Sequence, residues 1–387
     1  MAPSSPAPAP IGAAGLADVL PSVTAALGVP VRGAPALALP AARSAVVVLV
    51  DGLGDRLLEQ RGGHAPFLRS LRAGDGHVAA VDCGFPSTTA TSMGTFGTAR
   101  PVGSHGLVGT EVLHPELDAV FSELAWDPRV DPRTWQPGST VFEDATAAGL
   151  PAVMIGPSYT DGSGLTTAAL RGARFVAART LEERVDAALT ALAAQPQVLV
   201  YLYWEVLDKT GHVHGCESWE WGQELERIDG ELARLVRSVP GDVLVTVTAD
   251  HGMVDVPHSD RLDLADAPEL RRGVRHVGGE PRAVQLYCEA GASEAVAAVW
   301  RDRLGPQVEV LTRDDAVSRG WFGAVADHVM PRIGDLIVVA LDRIAVVDSA
   351  MARPELLRLL GQHGARTPEE TLVPVLSVLG THRPRRR

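Results

Sequence analysis

The stretch Leu244-Val245-Thr246-Val247-Thr248-Ala249-Asp250-His251-Gly252 constrains this chain more than any other. It reads as a short β-branched strand that ends by presenting a carboxylate and an imidazole side by side. In an open α/β sheet the carboxyl ends of the strands are where ligands bind. Aspartate with a neutral histidine is a ligand pair suited to zinc-like ions. Alone, such a pair is a modest signal, and its weight depends on what else the chain offers.

Four other segments offer matching chemistry. Ala45-Val46-Val47-Val48-Leu49-Val50 is a buried-strand run that ends in Asp51-Gly52, a second carboxylate at a strand tip. In Tyr201-Leu202-Tyr203-Trp204-Glu205-Val206-Leu207-Asp208-Lys209-Thr210-Gly211-His212 the Asp208 and His212 side chains are four apart. On a helix they share a face and can grip one ion. Phe85-Pro86-Ser87-Thr88-Thr89-Ala90-Thr91-Ser92 is a hydroxyl-rich turn entering a helix, where free N–H groups favour an anion. Gln362-His363-Gly364 places another imidazole in a glycine-flanked loop. Each piece has a plainer meaning: Asp51 as a helix cap, Asp208 and His212 as a surface pair, the hydroxyl cluster as a helix start, His363 as a loop histidine. Taken together, three Asp, three His and one hydroxyl make two three-residue metal sites that share a nucleophile.

In this order the segments resemble the alkaline phosphatase superfamily, and within it the nucleotide pyrophosphatase/phosphodiesterase branch. The resemblance spans about Ser44 to Leu379. It is most specific at Asp208/His212, at Asp250-His251-Gly252, and from Phe85 to Gly109, which ends Ser104-His105-Gly106-Leu107-Val108-Gly109. It implies one divalent ion held by Asp51, Asp250 and His251 and completed by Thr89, and a second held by Asp208, His212 and His363. Zinc is the expected metal, with manganese or iron as alternatives. His258, His276 and His328 also follow the Asp-His-Gly motif and compete for the last position, His276 most strongly. His363 is preferred because its segment resembles the family's final His-Gly before the last core strand.

The implied chemistry is a two-metal hydrolysis through a phospho-threonine on Thr89. Two divalent ions roughly 4 Å apart clamp the attacking and leaving oxygens and lower the pKa of the threonine hydroxyl. Their four positive charges face three carboxylates and one alkoxide, so the site is near neutral when phosphate arrives. Superfamily monoesterases carry an Arg beside the nucleophile, whereas Thr88, Thr89, Ala90 and Thr91 offer no cation. Charge-assisted contacts matter most for a dianion, which favours a phosphodiester or pyrophosphate substrate. Where the diesterase branch usually has a phosphate-binding Asn, this chain has Thr110, a shorter donor. Phosphomonoester and phosphonate hydrolysis are the enzymatic alternatives, and a non-catalytic binding relative is the alternative of another class. The Cys- or Ser-x-Pro-x-Arg signature of sulfatases is absent around Cys83-Gly84-Phe85-Pro86.

Composition fits this picture. With 387 residues, 46% of them apolar, the chain can bury one large domain or two. The net charge of −12 argues against a partner of duplex nucleic acid; a small phosphorylated, nucleotide-like substrate is expected instead. Three cysteines without paired spacing argue against a disulfide framework, and no apolar run approaches 18 residues, so no membrane span is expected. The Pro/Ala-rich start lacks the pattern of a secretory signal, and a cytoplasmic location is expected.

The fold class expected is α/β: a mostly parallel central sheet with helices on both faces, as in alkaline phosphatase, plus a small inserted α+β cap. Strands are expected at Val46–Val50, Ala152–Ile155, Val198–Tyr203, Val243–Thr248 and Leu336–Ala340, and helices at Leu181–Ala193 and Gln223–Val236. Residues 1–12 form a lead, 13–255 and 333–380 the core, 256–332 the cap, and 381–387 a basic tail. Trp204, Trp219 and Trp221 are expected to pack in the core, with stacking on a nucleobase as the alternative. The oligomeric state is left open.

Overall fold

The computed structural model describes residues 14–382; the lead at 1–12 and most of the basic tail lie outside them. Its centre is a seven-stranded sheet. From one edge the order is His77–Asp82, Leu372–Leu379, Val243–Thr248, Ser44–Val50, Leu199–Trp204, Ala152–Gly156, Arg174–Ala177. The last five run parallel, while Leu372–Leu379 runs antiparallel to both of its neighbours. The middle strand, Ser44-Ala45-Val46-Val47-Val48-Leu49-Val50, is buried at every position, as a strand covered on both faces should be. One group of helices, including Val19–Ala26, Thr89–Thr98, Val141–Ala147 and Gly164–Ala169, packs together, and a second group, Pro66–Ala73, Leu181–Ala194 and Trp219–Ser238, packs separately. This is the doubly covered α/β architecture expected from the alternating apolar runs.

A second sheet of six antiparallel strands lies beside the first, in the order Val308–Thr312, Leu336–Ala340, Ala283–Cys288, Val274–Glu280, Glu111–His114, Ala119–Ser122. It corrects one strand expectation: Leu336–Ala340 belongs here, paired with Ala283–Cys288 and Val308–Thr312, and not in the parallel sheet. A continuous apolar run marks a strand buried on both faces but does not say in which sheet. Its strands come from 111–122, from 274–312 and from 336–340, so its edges do not coincide with a boundary at 256 or 332. Among the described residues no helix is long and apolar enough to cross a membrane, and Cys83, Cys216 and Cys288 are all free and buried.

Candidate metal centre

Strand register sets the level of the site. Leu49 lies opposite both Tyr203 and Thr248 in the parallel sheet. Two residues further on, Asp51, Glu205 and Asp250 therefore leave their strands side by side. Glu205 then starts the helix Val206–His214, which carries Asp208 in its first turn and His212 one turn later. Gly52 makes this approach possible. It has φ of +74°, and a Cβ there would stand 3.1 Å from the Cα of Asp208. His363 arrives by another route: Gly361 and Gln362 pair antiparallel with Asp255 and Val254, the continuation of the Asp-His-Gly segment.

These elements gather two donor groups. Oxygen and nitrogen atoms of Asp208, His212 and His363 lie within 4.8 Å of one another, and so do those of Asp51, Asp208 and His251. Asp208 belongs to both groups, whereas the sequence reading gave it to one. Asp250 borders the second group, with Oδ2 3.5 Å from His251 Nε2, while its Oδ1 accepts from the backbone N–H groups of Gly52 (3.1 Å) and His251 (3.0 Å). Thr89 opens the helix Thr89–Thr98, with its Oγ1 3.2 Å from His251 Nε2. All seven residues expected at the site thus converge.

The hydrogen bonds orient the ligands for a cation. Each histidine donates its Nδ1–H to a backbone carbonyl: His212 to Gly361 at 2.7 Å, His251 to Gly252 at 2.9 Å, His363 to Ser87 at 2.9 Å. That tautomer turns all three Nε2 lone pairs inward, as metal-ligating histidines require. Asp51 Oδ1, Asp208 Oδ1 and Asp250 Oδ2 are buried without a hydrogen-bond partner, a costly condition for carboxylates. Burial, together with the neighbouring charges of Asp250 and Asp208, pushes the Asp51 carboxyl well above its ordinary range; burial and Asp208 raise Asp250 as well. Shielding from water and the neighbouring imidazoles of His251 and His212 push His363 well below its ordinary value. Three crowded carboxylates and three lone pairs fit divalent cations and little else.

The other histidines stand elsewhere. His276 pairs with Asp118 at 2.8 Å, and His258 and His328 are exposed. His105, inside the resemblance segment, is fully buried; its Nδ1 accepts from Leu107 N–H and its Nε2 bonds Thr95 Oγ1 at 3.1 Å. Burial, with Arg100 and Arg332 nearby, lowers its pKa to about 3, so it is a neutral packing residue. Trp204 and Trp221 are core residues and Trp219 is 63% exposed; none lines a cavity at the site.

Two cavities with mainly apolar walls meet at Thr89 and Asp208. One, of about 440 Å³, is lined by Asp51, Met154, Tyr159, Phe175, Tyr203 and Lys209 among others. The other, of about 340 Å³, is lined by Thr88, Thr110, Val277, Glu280, His212 and His363 among others. Tyr159, Tyr203 and Glu280 were not singled out from the sequence. Tyr203 shares a motif with Asp208, but Glu280 follows Gly278-Gly279 without any spacing signal.

The family model for type I phosphodiesterase / nucleotide pyrophosphatase matches residues 45–366. The chain belongs to that family. Comparison with curated proteins finds no match. Among solved structures, an inactive variant of murine ectonucleotide pyrophosphatase / phosphodiesterase 5 in complex with AMP is similar at TM-score 0.70 and 19% identity, covering 87% of this chain and 88% of that one. The human ectonucleotide pyrophosphatase / phosphodiesterase 5 gives 0.68 and 19%, covering 87% of each. Phosphonoacetate hydrolase from Sinorhizobium meliloti 1021, in complex with phosphonoacetate, gives 0.67 and 20%, covering 90% and 94%. At these identities the likeness speaks for the alkaline-phosphatase-like fold of this type I phosphodiesterase family member.

Proposed function

We propose that this chain is a metal-dependent hydrolase of phosphodiester or pyrophosphate bonds that works through a covalent phospho-threonine on Thr89. One observation carries the reading: Thr89 stands beside the two donor groups, where the two cavities meet. A diester has a substituent on each side of its phosphorus, and a cavity on each side of the nucleophile suits that shape. Asp51, Asp250 and His251, with Thr89, would hold one divalent ion, and Asp208, His212 and His363 the other, with Asp208 within reach of both. Bound there, the ions would supply Lewis-acid charge at phosphorus and lower the threonine pKa; zinc suits the mixed nitrogen and oxygen donors.

The chain's own residues then have separable tasks. Thr89 Oγ forms the bond to phosphorus as one ester oxygen leaves, and water later releases the remaining phosphomonoester from threonine. With His251 Nδ1–H committed to Gly252, the His251 Nε2 lone pair accepts the Thr89 hydroxyl in the resting geometry, which aims Oγ into the junction. Among the described residues no Arg or Lys lines the cavity of Thr88, Thr89 and Thr110, which favours one negative charge over two on the reacting phosphate. In the larger cavity Lys209, bonded through Nζ to Tyr159 Oη at 2.8 Å, is the lining cation. It suits a substrate with a second anionic group, as in a pyrophosphate, and it also supports phosphonate hydrolysis as a second reading.

Metal-reconstituted protein assayed against bis-p-nitrophenyl phosphate and p-nitrophenyl phosphate, with T89A as control, tests the function. Faster diester turnover is the expected result. Preference for the monoester would move the assignment to the monoesterases, and cleavage of neither with zinc, manganese or iron supplied would overturn it.

A further inference from the structure

Glu280 ends the strand Val274–Glu280 and lines the smaller cavity together with Thr88, Thr89 and Thr110. It is 6% exposed. Its Oε1 accepts the backbone N–H of Thr110 at 2.5 Å, and the Thr110 and Thr88 side chains line the same cavity. Thr88 Oγ1 and Thr110 Oγ1 in turn lie 2.9 Å apart. Three side chains from three separate segments thus form one polar set beside the nucleophile. Among the described residues no Arg or Lys pairs with Glu280. Neighbouring Arg282 is instead committed to Glu370 through two bonds of 2.8 Å. A buried carboxyl without a cation partner is costly, and a purely structural bond to Thr110 N–H would not require one.

We propose that Glu280 is the specificity-determining positioning residue of this site: it holds the bonded Thr88–Thr110 hydroxyl pair for a non-bridging oxygen of a singly charged phosphoester, in a polar set that includes no cation to offset a second negative charge. The inference rests on the phosphoester reading above. Thr110 is too short to span the distance of a longer amide side chain by itself. Backed by Glu280 and joined to Thr88, it presents a bonded hydroxyl pair with one outward proton in place of one amide. Burial pushes Glu280 up to about 8, so near neutral pH the carboxyl is largely protonated and can donate to the hydroxyl pair, which keeps one proton in its own bond and has one to donate outward.

The test compares E280A and E280Q in metal-reconstituted full-length protein. E280A is expected to lower kcat/KM for bis-p-nitrophenyl phosphate tenfold or more while p-nitrophenyl phosphate stays within threefold. E280Q, which can still donate and accept, is expected to hold the diester value within threefold of wild type. A second readout avoids turnover: in a T89A background, calorimetric affinity for bis-p-nitrophenyl phosphate should weaken at least tenfold with E280A and hold with E280Q. An unchanged diester-to-monoester ratio in E280A, or equal losses in E280Q and E280A, overturns the role of Glu280 while leaving the hydrolase reading standing. Should wild type cleave neither ester, both fall. If E280A does not fold, E280D, which withdraws the same group by one methylene, supplies the comparison on the same criteria.

Discussion

The phenol of Tyr203 donates a hydrogen bond to Oδ2 of Asp51, leaving Oδ1 of that buried carboxylate free of any partner. Tyr203 therefore fixes which Asp51 oxygen faces His251, whose Nε2 is 3.5 Å from Oδ1. Supporting contacts of this kind typically change metal affinity 10–100-fold. Y203F should weaken zinc binding by about that factor, read by competition with a chromophoric chelator, with its thermal midpoint near wild type.

Thr89 has one predicted role, that of nucleophile. T89A should lower diester kcat by about 10³-fold or more, while T89S, which keeps the oxygen, retains measurable turnover. Rapid quench with a radiolabelled diester should trap label on protein in wild type and not in T89A.

Because Asp208 contributes to both donor groups, its loss should not resemble the loss of a ligand from one. H363A is expected to retain about one zinc per chain by elemental analysis after dialysis. D208N should hold less than one. Equal stoichiometry in the two variants would contradict a shared ligand.

Crowded carboxylates destabilise the metal-free chain. Asp51 is held above its ordinary range by burial and by Asp250 and Asp208, so removing its charge relieves repulsion. D51N should raise the thermal midpoint of chelator-treated protein while abolishing diester turnover. In wild type, zinc at a hundredfold over its Kd should add about 2.7 kcal/mol per site, and this gain should shrink in D51N.

His105 gives a pH signature independent of the metal ligands. Its folded pKa, about 3, lies below the ordinary 6.5, so the unfolded chain binds a proton that the folded one refuses. Its contribution to stability is complete above pH 6.5 and is lost as pH falls from there toward 3, at up to ~1.4 kcal/mol per unit. Urea midpoints at pH 7, 5.5 and 4.5 should fall more steeply for wild type than for H105Q.

Much of the centre was legible in the letters because each ligand follows an apolar strand or sits at helical spacing. Asp51 and Asp250 end apolar, β-branched runs that read as buried strands, and Asp208 and His212 are one turn apart. The edges were less visible. Arg174–Ala177 has exposed ends and a half-buried middle and so lacks the fully buried apolar run that marks its neighbours. His77–Asp82 likewise has a single buried residue, the others being exposed or half-buried. Leu336–Ala340 reads like a central parallel strand because full burial imposes the same composition in either sheet. His363 could be preferred over His276 by motif, but its place depends on the two-residue pairing with Val254 and Asp255, too short to leave a pattern. Glu280 reaches Thr110 across a gap of 170 residues, which no local spacing encodes.

The strand Leu372–Leu379 is threaded between His77–Asp82 and Val243–Thr248, inside the sheet and not at its rim. During synthesis this slot stays open until Leu372–Leu379 has emerged, after every other strand of the sheet, and the His363 loop just ahead of it is anchored by that strand only then. The donor group of Asp208, His212 and His363 is thus completed beside the strand that comes last in chain order in this sheet.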